Sequence, residues 1–157
     1  MHARQRRPLS VVRRPSVLLL LLSACHGATG PIRIGLAGPF SDPVGAPMKR
    51  AADLAVEEIN AAGGIQGQPI ELVPRDDFGD PDSAVVVATS LQEAGVVAVI
   101  GHVYSGTTLA AAPIYNGASD PVVQISPSSS SPEVTDAGPY TFRVCPSDLA
   151  HGAALAR

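Results

Sequence analysis

The chain has no tryptophan and only three phenylalanines and three tyrosines among 157 residues, so aromatic packing cannot dominate its core. Its two cysteines, Cys25 and Cys145, are too few for a disulfide framework or a four-cysteine zinc site. No apolar run reaches the roughly 18–20 residues that span a bilayer as a helix. Lysine and glutamate are too scarce for a coiled coil, and the 15 glycines keep no three-residue period, which excludes a collagen-like chain. Acidic residues are missing altogether before Cys25, whereas Arg4, Arg6, Arg7, Arg13 and Arg14 all lie there. From residue 26 onward six basic residues face fourteen acidic ones, a net charge of −8. So acidic a body repels phosphate backbones, and no nucleic-acid partner is expected. What is present, 45% hydrophobic residues, suffices for the core of one ordinary domain.

The arginine-rich start runs into Val17-Leu18-Leu19-Leu20-Leu21-Leu22 and then Ser23-Ala24-Cys25. A basic flank, a short apolar stretch and small residues before a cut make a secretory signal over residues 1–24. Leu22-Ser23-Ala24-Cys25 resembles the bacterial lipobox, which implies cleavage before Cys25 and lipidation of its sulfur. The alternative is an ordinary secretory signal in which Cys25 has no part. Two or three acyl chains on Cys25 would give lasting attachment outside the cytoplasmic membrane, with residues 25–31 as anchor and tether. Cys145 then needs no partner and reads as a small buried apolar residue.

From residue 32 strands and helices alternate. Ile32 to Ala37 reads as a buried strand. A helix is expected from about Ala46 to Ala62, with Met48, Ala51, Ala55, Ile59 and Ala62 as its inward stripe and Gly63-Gly64 as its stop. Pro69 to Pro74 reads as an edge strand, because prolines flank it. Asp80 is placed to cap the next helix, with Pro81 in its first turn and Gly95 at its end. Val96 to Ile100 is a continuous apolar run, expected of a central strand. A third helix follows from Ser105 to about Asn116, then strands at Pro121–Ile125 and Tyr140–Val144, and a helix opening at Asp148. This alternation predicts an α/β fold with a doubly wound, mainly parallel sheet in three αβα layers.

In such sheets ligands bind at the carboxyl ends of strands, where helix N-termini converge. Three loops leave those ends: Gly38 to Gly45, Gly101 to Thr108, and Ser126 to Glu133. They are rich in glycine and hydroxyls and carry no obvious metal set, which suits a small polar ligand held by neutral donors. Ser105, at the start of a helix, can offer its hydroxyl and free N–H groups to an anion, or can merely cap its own helix. Asp76 and Asp77 read as structural, and His102 as a satisfied structural histidine. Tyr104 fits either the core or a cleft wall. Enzymatic templates are absent: there is no Gly-x-Ser-x-Gly, no dinucleotide fingerprint and no phosphate loop. Catalysis and cofactors are therefore not expected.

Ile32-Arg33-Ile34-Gly35 and Ala55-Val56-Glu57-Glu58-Ile59-Asn60-Ala61-Ala62-Gly63-Gly64-Ile65-Gln66-Gly67 resemble the start of the leucine/isoleucine/valine-binding proteins. Asp76-Asp77, Asp80-Pro81, Ile100-Gly101-His102, Ile125-Ser126-Pro127, Pro132-Glu133-Val134-Thr135 and Phe142-Arg143 continue the match in order. These are type I periplasmic binding proteins, two-lobed extracytoplasmic receptors of ABC importers. The resemblance implies that residues 32–144 form the first lobe and that residues 145–157 are the hinge crossover and the opening of a second, truncated lobe. It further implies an amino acid or similar zwitterion as ligand and permease subunits as partners, with the membrane reached only through the lipid anchor. Carried over by position, Ser105 would bond the ligand's carboxylate with help from a backbone group at Ser128. Ser130 would offer a hydroxyl to the same polar head, and Val103 and Tyr104 would border it. Gly79 and Tyr104 stand where some members have a disulfide, and the first loop is about three residues shorter than in the family. A sensory ligand-binding domain of the same fold, or a secreted hydrolase-like enzyme using Asp76, Asp77 and a loop serine, are the alternative readings.

Overall fold

The computed structural model describes residues 30–157; the signal over 1–24 and Cys25 with most of its tether lie outside the described residues. Among the described residues five strands and four α-helices follow one another: β1 (Ile32–Gly38), α1 (Gly45–Ala61), β2 (Ile70–Asp76), α2 (Pro81–Glu93), β3 (Ala98–Ile100), α3 (Ser105–Gly117), β4 (Val123–Ser126), β5 (Thr141–Arg143) and α4 (Asp148–Leu155). A 3-10 turn over Pro132–Asp136 separates β4 from β5, in a stretch expected to be loop. The sheet's strand pairings are parallel, in the order β2-β1-β3-β4-β5, with Ile34 opposite both Leu72 and Ala98 and Ile125 opposite both Ile100 and Phe142. The chain leaves β1 towards β2 and returns past it to β3, so a crevice opens at the carboxyl ends of β1 and β3. β2 is an edge strand and β3 is central, as their proline flanks and apolar run predicted.

Local chemistry accounts for the element ends. The Asp80 carboxylate accepts the Ser83 N–H at 2.7 Å, Pro81 occupies the first helical turn, and Gly95 leaves α2 at φ +69°. The core lies between the sheet and the α2–α3 pair, built from Ala37, Val87, Ala88, Leu91, Val96, Val99, Ala111, Tyr115 and Val122. Gly35 lets α2 come close to the sheet, because a Cβ there would lie 2.9 Å from Val99 and 3.0 Å from Leu91.

Two expectations are corrected. The inward stripe of α1 is set one position round from the predicted one. Gly45 and Ala52 are buried, whereas Ala51, Ala55, Ile59 and Ala62 are exposed. Asn60 explains the rotation: its amide donates to the Ile70 carbonyl at 2.9 Å and accepts the Ile70 N–H at 2.7 Å, which rolls α1 towards the edge strand. Cys145 is half-exposed rather than buried, because it follows β5 on a segment that packs against little.

The second face of the sheet is only partly covered. Thr141 and Gln124 point towards α3, where Asn116 donates to the Thr141 hydroxyl at 2.9 Å. Ile125 and Phe142, one residue further along each strand, therefore face the other way, and they are 37% and 51% exposed. Met48 of α1 packs at Gly38 on that face, so α1 covers β1 and β2 while β4 and β5 stay bare. Ala51 and Ala55 lie on the flank of α1 opposite Asn60, beside this bare half. Helix α4 is likewise exposed along its length, and no described helix is long and apolar enough to cross a membrane.

Candidate functional site

The expected loops gather at the carboxyl edge of the sheet. Gly101, at φ +126°, leaves β3 so close to the Ala37 backbone that a Cβ would collide with its carbonyl. This brings the β3 exit against β1, and the chain then turns into α3. Tyr104 is the cap residue of α3 but makes no side-chain cap bond, and Ser105 is the first helical residue. Ser105 does not cap its own helix: its Oγ accepts the Ser131 N–H at 3.2 Å, tying the second loop to the third. The first intrahelical bond in this turn is Thr108 N–H to the Tyr104 carbonyl at 2.9 Å. The N–H groups of Ser105, Gly106 and Thr107 thus remain available to an anion at the positive end of the helix.

Beneath this turn runs a chain of buried hydroxyls. Thr108 Oγ1 is 2.7 Å from Ser129 Oγ, which is 2.7 Å from Ser126 Oγ. Ser126 donates to the His102 carbonyl at 2.6 Å, and Ser128 donates to the Val103 carbonyl at 2.6 Å. The Ser129 N–H in turn donates to Ser126 Oγ at 3.1 Å. Arg143 secures the far end of the loop, donating to the Ser131 carbonyl at 2.6 Å and to the Thr135 hydroxyl at 2.6 Å. Every buried side-chain nitrogen and oxygen among the described residues has a partner.

The residues singled out from the sequence fall into distinct positions. Ser105 and Ser130 lie on the same rim, joined through the Ser105–Ser131 bond. Ser130 is half-buried, and its carbonyl accepts the Asp148 N–H at 2.9 Å as the chain enters α4. Ser128 is exposed, with its hydroxyl committed to Val103. Tyr104 is 38% exposed on the rim, whereas the Val103 side chain is buried below it against Gly38. Val103 therefore borders the rim through its backbone and not its side chain. Gly79 and Tyr104 touch, as the disulfide comparison implied: a Cβ on Gly79 would lie 3.1 Å from the tyrosine ring. The Asp42 carboxylate beside the Tyr104 hydroxyl holds its ionisation above the ordinary value and joins the first loop to the second.

Asp77 and His102 are fully buried and bonded to each other at 2.6 Å, in keeping with the structural role expected of both. The hydroxyl chain through Thr108, Ser126 and Ser129 was missed in the sequence. Its signal was the Ser126-x-x-Ser129 spacing directly after a buried strand. Among the described residues no group of three or more His, Cys, Asp or Glu side chains could hold a metal ion. A surface cavity of about 470 Å³ lies at the opposite edge of the sheet, beside Gln92, Val96, Ser119 and Asp120, away from the three loops.

A family model described as periplasmic binding protein matches residues 31–157. The chain is 38% identical over 148 residues to an amino acid binding protein of Pseudomonas aeruginosa, covering 88% of this chain and 39% of that protein. It is 44% identical over 114 residues to a leucine-, isoleucine-, valine-, threonine- and alanine-binding protein of the same organism, covering 71% and 30%. Among solved structures, the ABC transporter substrate-binding protein of Desulfitobacterium hafniense in complex with leucine superimposes with a TM-score of 0.73 and 40% identity, over 80% of this chain and 37% of that one. Streptococcus pneumoniae LivJ in complex with isoleucine gives 0.70 and 37%, over 75% and 34%. The chain spans less than two fifths of the length of each of these relatives. With the parallel sheet, its strand order and the convergent hydroxyl loops, this match establishes that the chain belongs to the periplasmic binding protein family, on the side of its leucine/isoleucine/valine-binding members.

Proposed function

We propose that the chain supplies one jaw of an extracytoplasmic amino-acid receptor serving an ABC importer, and that it binds without catalysing. The observation that carries this reading is the rim where the free N–H groups of α3 meet the Ser130 side of the third loop across the Ser105–Ser131 bond. A carboxylate seated there gains hydrogen bonds and the helix field without a lysine or arginine. In this reading Ser105 and a backbone group at Ser128 take the carboxylate, Ser130 offers its hydroxyl to the polar head, and Tyr104 walls the ligand on one side. Relatives named for leucine, isoleucine and valine support a branched-chain or related amino acid as ligand. Cys25 would carry the lipid anchor, and permease subunits would be the partners.

A second lobe of comparable size would complete the site, since this chain matches less than two fifths of its relatives. The bare half of the sheet around Ile125 and Phe142 is a separate surface, on a face of the sheet and not at the rim. Parallel sheets are ordinarily covered on both faces. A single jaw buries only part of a ligand, so its affinity for leucine is expected to be weaker than about 1 mM, or −4.1 kcal/mol. Titration of leucine, valine and a polar amino acid, followed by amide NMR, tests the reading. The resonances of Ser105–Thr107 and Ser128–Ser130 should move first. Shifts confined to other loops would refute it, and micromolar affinity would overturn the one-jaw argument.

A further inference from the structure

His102 lies where β3, α3, β4 and the β2 exit meet. Its ring is fully buried, with Nδ1 2.6 Å from Asp77 Oδ2 and Nε2 3.3 Å from the Tyr115 hydroxyl. The other Asp77 oxygen accepts the Gly79 N–H at 2.9 Å. The His102 carbonyl accepts from Ser126 Oγ at 2.6 Å and lies 3.1 Å from Thr108 Oγ1. The next carbonyl, that of Val103, accepts from Ser128 at 2.6 Å and lies 3.3 Å from Ser129 Oγ. The second and third loops are thus hung on two consecutive carbonyls whose position follows the His102 ring.

Counting hydrogens leaves one arrangement that satisfies every group. With the proton on Nδ1 alone, that N–H donates to Asp77, and the Tyr115 O–H donates to the bare Nε2. Burial and the nearby Asp77 charge raise the Tyr115 ionisation, so its hydroxyl keeps its proton. With protons on both ring nitrogens, the Tyr115 hydrogen would lack an acceptor among the described residues. With a proton on Nε2 alone, the Asp77 carboxylate would face a bare nitrogen lone pair at 2.6 Å. The same ring orientation serves both neighbours, so Asp77 and Tyr115 act on it together.

We infer that His102, locked as the neutral Nδ1–H tautomer between Asp77 and Tyr115, is a positioning residue that sets the spacing of the two hydroxyl loops. The ligand role of those loops rests on the proposed function; the tautomer and the spacing do not.

The test is nitrogen NMR of the full chain with labelled histidine and labelled backbone. In the unmodified protein at pH 7, the His102 Nδ1 should carry the proton and Nε2 should be bare. Asp77→Asn, with its amide N–H₂ turned to the ring, should move the proton to Nε2. Tyr115→Phe removes a single oxygen and should shift the Val103, Ser105 and Ser128–Ser130 amides while leaving those of α1 in place. Two protonated nitrogens or an Nε2–H ring in the unmodified protein would overturn the inference, whatever the variants do. Unmoved loop amides in folded Tyr115→Phe would overturn it too. Where leucine shifts the Ser105–Thr107 amides, Tyr115→Phe should weaken that binding severalfold, and unchanged binding counts against the inference. Leucine without effect on the unmodified protein refutes the binding reading, while the ring nitrogens still decide the tautomer.

Discussion

Asp80 closes the first turn of α2 with one hydrogen bond to Ser83, and that bond holds its carboxyl below the ordinary value of 3.8. A carboxylate lowered in the folded state stabilises fully above its unfolded value and loses that contribution as pH falls through the lowered one. Asp80→Ala should therefore reduce the melting temperature by a few degrees at pH 7 and by progressively less as pH falls below 3.8, whereas Asp80→Asn keeps a cap without the pH dependence. Calorimetry along a pH series separates these outcomes. Ser129 has a larger effect because it is fully buried between Thr108 and Ser126. Ser129→Ala removes the hydroxyl that links Thr108 to Ser126, both of which keep the His102 carbonyl within reach, and is expected to cost about 1 kcal/mol in urea unfolding. A loss below about 0.5 kcal/mol would show that the hydroxyl chain is not holding the loop. Asp80 could be assigned from the sequence because capping is local chemistry. The contact of Ser129 with Ser126 is local, but the one with Thr108 of α3 spans 21 residues and has no mark in the sequence.

The helices and strands were readable because each carries its own period and punctuation. The limits of α2 follow from Asp80-Pro81 and Gly95 almost to the residue. Helix α1 was found at the right place with its stripe displaced. Its apolar residues extend more than halfway round, and contacts with the sheet, those of Asn60 with β2 and Met48 with Gly38, select which part turns inward. The short 3-10 turn at Pro132–Asp136 lacks a full turn of apolar spacing and reads as loop. Close packing between elements leaves a different kind of mark. Gly35 lies under Leu91 and Val99, so Gly35→Ala forces a methyl into a filled space and should destabilise by about 1–3 kcal/mol. A chemical denaturation midpoint unchanged from the parent would mean that α2 can back away from the sheet without cost.

On the scale of the whole molecule, the uncovered half of the sheet is the feature most open to measurement. Ile125 and Phe142 present apolar surface beside Tyr140, which is 37% exposed, and Val144, which is 74% exposed. An environment-sensitive dye such as ANS should bind this chain in its native state. Replacing Ile125 and Phe142 by threonine should lower that signal while changing stability by no more than about 0.5 kcal/mol per site. A large loss of stability would show instead that these side chains already pack. The sequence by itself determined the α/β class, the order of elements, the parallel sheet and the three loops at its carboxyl edge. Those follow from hydrophobic period, caps and breakers acting over a few residues. Tertiary structure alone decided which face of α1 is buried, which hydroxyls line the rim and which lie beneath it, and that His102 ties the two loops. These depend on contacts between residues far apart in the chain, where the physics is set by who the neighbour is.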